Sequence, residues 1–125
     1  MSPVHRPLAG EVLAFDLTEE MRLVREELVG GRVRIARTLV KEGSLRVTLV
    51  GVAPGGGLDE HDAAGPITIQ VVEGELELIA GGETGTYAKG SLIALDRRVR
   101  HAVRSQQGAM FLLTLSTPSP DAGPR

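Results

Sequence analysis

From Arg32 to Leu115 the chain is a succession of short β-rich runs cut by glycine at Gly43, Gly55–Gly57, Gly74, Gly81–Gly82, Gly90 and Gly108. Glycine reaches positive φ without a Cβ clash, so each break supplies a tight turn and disfavours a long helix. The runs themselves are rich in Val, Ile, Leu and Thr, which suit a pleated, half-buried surface. They predict strands over Val33–Val40, Leu45–Ala53, Ile67–Glu73, Glu75–Ala80, Thr84–Ala88, Ser91–Leu95, Val99–Arg104 and Ala109–Leu115. About eight short strands at this spacing predict a mainly β fold, a sandwich or small barrel.

One segment departs from that pattern. In "TEEMRLVREELVGG", Thr18 can cap a helix, Glu19 and Glu20 suit its positive end, and Gly30-Gly31 stop it. Its apolar stripe, Met21, Val24 and Leu28, is short, which predicts a helix packed on the sheet. Residues 1–14 and 116–125 are expected to be mobile tails around one domain spanning 15–115, because they carry prolines and few large apolar residues.

Composition narrows the function classes. Fourteen basic and sixteen acidic residues are interspersed, for a formal charge of −2, so neither nucleic acid nor an anionic membrane is an expected partner. The chain has no cysteine, which excludes disulfides, thiolate metal sites and a cysteine nucleophile. Phe15, Tyr87 and Phe111 are the whole aromatic complement, too few for a site built on stacking. No stretch approaches the roughly 18 apolar residues of a membrane span, and the chain reads as soluble and cytoplasmic.

Two stretches carry further information. In "GGGLDEHDAAGPITIQVVEG", Gly55, His61, Ala63, Ile67 and Gly74 fall in the register G-x5-H-x-H-x3,4-E-x6-G. In the second, Gly90, Asp96, Arg98, His101 and Ser105 fall in the register G-x5-P-x-G-x2-H-x3-N. These are similar to the two motifs of the cupin superfamily, and the chain resembles a small RmlC-like cupin of the cupin 2 conserved-barrel type. The resemblance implies a jelly-roll barrel, a double-stranded β-helix, with one leading helix and a pocket inside the barrel. It also implies a homodimer, an expectation to which "AMFLLTLS" adds its own support, since Met110, Phe111, Leu112 and Leu113 make both faces of that strand apolar.

Of the four metal ligands the family commonly uses, His61 and His101 are present, whereas Ala63 and Ile67 stand at the second histidine and the glutamate. Two imidazoles suit Ni, Zn, Cu or Fe better than Mg or Ca. Gln70, the one polar amide in an apolar strand, is the candidate third ligand if a bulge turns it inward. Arg97, placed on the parity of His101, is the candidate holder of an anionic ligand at the barrel mouth. Each residue also has a plainer reading: His61 as a loop histidine, His101 as a satisfied core histidine, and the arginines as a solvated strand edge.

The expected function is binding of a small molecule, through a divalent metal held by the two histidines. The alternative is a metal-free cupin acting as a non-catalytic binding or structural module. Whether the chain is an enzyme is left open at this point.

Overall fold

The computed structural model describes residues 12–117. Helix α1 (Leu17–Val29) starts where the Asp16 carboxylate accepts from the amides of Thr18, at 3.0 Å, and Glu19, at 3.4 Å. The cap is therefore Asp16, and Thr18 lies inside the first turn. The helix stops as anticipated at Gly30-Gly31, with Gly31 at φ 110°.

Eight strands follow: β1 (Arg34–Glu42), β2 (Leu45–Val52), β3 (Gly57–His61), β4 (Ile67–Ala80), β5 (Glu83–Ala88), β6 (Leu92–Leu95), β7 (His101–Arg104) and β8 (Ala109–Ser116). All pairings are antiparallel, in the order β1-β2-β8-β4-β7-β3, with β5 and β6 also paired to β4. Strand β4 is the spine of the barrel. Its first half pairs with β6 and β8, and its second half with β5 and β7. The sequence reading split this strand in two at Gly74. Instead the chain bends there: the register to β8 shifts between Val71 and Glu73, and Gly74 takes φ 78°. A Cβ at Gly74 would lie 2.4 Å from the Gly108 carbonyl oxygen, so the corner requires glycine.

The bend folds the two halves onto a shared core of Val50, Val52, Ile67, Ile69, Val71, Leu76, Leu78, Val103, Ala109 and Phe111. A second core lies between α1 and the outside of β1, β2 and β8, built from Val24, Ile35, Leu39, Leu49 and Met110 with Met21 and Leu28 half-buried at its edge. Helix α1 thus packs on the sheet by its Met21, Val24 and Leu28 stripe. An ion pair between Arg37 on β1 and Glu20 on α1 lies beneath the helix, with both side chains largely out of water.

This arrangement revises the reading of β8. Phe111 belongs to the inner core and Met110 to the outer one, with Leu112 beside it, so α1 accounts for part of the second apolar face without a partner subunit. Strand β3 was missed in the sequence because "GLDEH" shows no apolar alternation. The expected tails fall mostly outside the described residues; of them, Ser116 closes β8 and the Thr117 amide donates to Ser44 O at 2.8 Å. Among the described residues no helix is long and apolar enough to cross a membrane.

Candidate functional site

His61 and His101 are cross-strand partners on β3 and β7. Leu58 pairs with Val103 and His61 with His101, so β3 spends three steps where β7 spends two. That extra residue is a bulge. In an unbulged strand His61, three residues from Leu58, would point to the opposite face; the bulge returns it to the face shared by Leu58, Val103 and His101. The ring centroids are 4.2 Å apart, tilted by 60°.

The two imidazoles differ in burial but share a local geometry. His101 is 3% exposed, at the end of the inner core beside Ala80 of β4, whereas His61 is open to solvent. His61 Nδ1 lies 2.7 Å from Asp59 O, and His101 Nδ1 lies 2.9 Å from Val99 O. A carbonyl can only accept, so each bond places the proton of a neutral ring on Nδ1 and leaves Nε2 as a lone-pair donor. Backbone bonding of this kind orients metal-ligating histidines. Two imidazoles sharing one ion at about 2.0–2.1 Å would hold their ring centres roughly 4.5–5 Å apart. The observed pair is within a few tenths of an ångström of that range.

The remaining donors of a complete metal centre are not at hand. Among the described residues no three His, Cys, Asp or Glu side chains gather closely enough to hold an ion. Ala63 packs on the inner core and Ile67 is buried within it. Glu60 is engaged with Arg100 at 3.2 Å. The residues therefore fit a two-donor clamp and not the four-ligand set that the motifs imply.

Two expectations for the site need correction. Gln70 is exposed, opposite Leu92 on β6 and Leu112 on β8. The bulge in β4 comes after Val71, too late to turn Gln70 inward, so simple alternation keeps it on the outer face, away from the histidines. Arg97 is not on a strand, because β7 begins only at His101; it sits in a turn, where its amide donates to Asp96 Oδ1 at 2.8 Å. Parity with His101 therefore has no meaning for it. The same turn contains Arg98 at φ 66°, a left-handed conformation that costs a non-glycine residue about 1–2 kcal/mol. Its place in the motif register, at a position written as glycine, was the available signal.

Two cavities open elsewhere on the described residues, while the inner core of the barrel is aliphatic. One cavity, about 360 Å³, opens at the end of β4, β6 and β8 between Pro66, Ile67, Ala94, Leu95, Asp96 and Thr114. Another, about 900 Å³, lies around Glu75, Glu77, Arg104 and Gln106. Neither is lined by His61 or His101. Ser105, the last motif position, is buried and structural: its hydroxyl donates to Glu75 O at 2.7 Å and its amide to Gly56 O at 3.0 Å.

No family profile matches the sequence, and no curated protein matches it. Solved structures do match. A cupin-2 domain protein from Shewanella frigidimarina superposes with a TM-score of 0.68 at 14% identity, over 82% of this chain and 94% of that one. A conserved Streptococcus pyogenes protein of unknown function gives 0.65 at 24% identity, over 69% and 75%. A cupin 2 conserved barrel domain protein from Leptotrichia buccalis gives 0.65 at 27% identity, over 70% of this chain and 42% of that one. The fold is that of a small cupin domain, a jelly-roll barrel preceded by one helix.

Proposed function

We propose that this cupin barrel binds a small molecule at the His61–His101 pair, through a divalent transition-metal ion clamped by the two Nε2 atoms. The observation that carries the reading is the shared geometry of the rings: both Nδ1 atoms are occupied by backbone carbonyls, and the centroids stand 4.2 Å apart. Imidazole nitrogen favours Ni, Zn, Cu or Fe over Mg or Ca. Such an ion, when bound, supplies a Lewis-acidic centre with positions left open to an oxygen ligand. The chain's own contribution is to fix the tautomers and to bury one side of the site, where His101 adjoins Val103 and Ala80.

The lack of a third protein donor among the described residues favours a second reading, a metal-free binding module whose imidazoles accept hydrogen bonds from ligand. Titration of chelator-stripped protein with Ni²⁺ separates the two. A ligand exclusive to the folded state, at about 100 times its dissociation constant, adds roughly 2.7 kcal/mol. For a domain of this size that is a melting shift on the order of 10 °C. The metal reading expects this shift in the wild type and its loss in both His61→Ala and His101→Ala. No response to Ni²⁺, Zn²⁺, Cu²⁺ or Fe²⁺ leaves the metal-free reading standing.

A further inference from the structure

The turn leading into β7 contains Arg98, the one non-glycine residue with positive φ among the described residues. Its amide donates to Ala63 O at 3.0 Å, which ties the turn to the segment that follows His61. Arg98 is thus held three residues before His101 and against the chain two residues after His61. It is exposed, and neither its guanidinium nor that of Arg97 has an ion-pair partner among the described residues, whereas Arg100 is paired with Glu60. Of the acidic residues close to it along the two connected segments, Asp96 accepts the Arg97 amide, Glu60 is paired with Arg100, and Asp62 immediately precedes Ala63.

Glycine would adopt the same turn without strain, and a Cβ makes the conformation unfavourable for arginine. A free cation kept in a strained backbone at the edge of a site is a feature whose cost falls on stability while its use falls on binding. We infer that Arg98 is a ligand-binding residue of the site and that it selects a small carboxylate. This inference rests on the histidine pair being the binding site. The carboxylate would be held by the planar guanidinium, a match that an ammonium reproduces only in charge.

The test uses the full chain, loaded with Ni²⁺, titrated calorimetrically with succinate and with its uncharged analogue succinamide. Wild type is expected to bind succinate in preference to succinamide. Arg98→Gly should weaken succinate binding by roughly tenfold or more, as expected for loss of a charge-assisted hydrogen bond, and leave Ni²⁺ uptake unchanged. The same variant should melt higher by about 2–5 °C because strain is relieved. Arg98→Lys should keep part of the affinity without the gain in stability. The inference is overturned if Arg98→Gly binds succinate as wild type does, or if wild type binds succinate no better than succinamide. Should wild type take up no Ni²⁺, the metal reading fails by itself, and the succinate titrations repeated on stripped protein decide Arg98 by the same criteria.

Discussion

His61 stands opposite His101 because a bulge in β3 absorbs the one residue by which β3 exceeds β7 between the Leu58–Val103 pair and the histidine pair. Deleting Glu60 removes that residue and leaves a regular ladder in which His61, now two steps from Leu58, keeps the shared face and its place opposite His101. The exposed Glu60–Arg100 ion pair lost with it contributes little. The deletion variant should therefore keep both its β-rich circular dichroism and the Ni²⁺-induced melting shift. Loss of the shift in that variant would show that the pair needs the bulged backbone itself and not only the facing register.

Gly51 on β2 sits under α1. A Cβ there would lie 2.5 Å from Val24 Cγ1 and 3.1 Å from Leu28 Cδ1. Val24 is buried and stiff at χ1, so it yields only if the helix lifts. Gly51→Ala should cost about 1–3 kcal/mol in urea unfolding. Gly43→Ala, where a Cβ meets open space but φ is 55°, separates crowding from backbone strain. Equal stability of Gly51→Ala and wild type would mean that the helix packs more loosely than the structure shows.

Most of the fold was legible because its punctuation is local. Gly43, Gly81-Gly82, Gly90 and Gly108 all take positive φ, and the strands between them alternate as the sequence does. What was not legible depends on partners. Strand β3 is held by β7, not by its own apolar pattern, and β4 continues through Gly74 because β8 and β5 take over pairing on either side. Motif spacing singled out His61 and His101, which the structure pairs across β3 and β7. The inward placement of Gln70 failed because the bulge in β4 falls after it, and the Arg97 parity failed because the strand starts four residues later. The carbonyls of Asp59 and Val99 that fix the two tautomers have no signature in side-chain identity.

The Arg37–Glu20 pair beneath α1 is a stability test with a predictable asymmetry. Their side chains are 9% and 13% exposed. Removing one partner leaves a charge with little water, so Arg37→Met and Glu20→Leu should each cost on the order of 3 kcal/mol or more. The double variant should recover much of that loss, since a buried pair and a well-packed apolar pair of similar volume differ little. Additive losses in the cycle would mean that the two side chains act independently.

Homodimer formation, expected from the sequence, gains a different candidate surface from the structure. Helix α1 covers Met110, but beyond it the outer face of β4, β6 and β8 presents Leu92, 66% exposed, in register with Gln70, which separates it from half-buried Leu112. A two-fold contact through this face would bring each such side chain to the interface twice, so one charge substitution counts double. Sedimentation at micromolar concentration should show a dimer for wild type and a monomer for Leu92→Arg. The melting temperature measured under dilute, monomeric conditions should barely move, because Leu92 packs on little within its own chain. A wild-type monomer at these concentrations removes the homodimer, and a Leu92→Arg dimer moves the interface to another face.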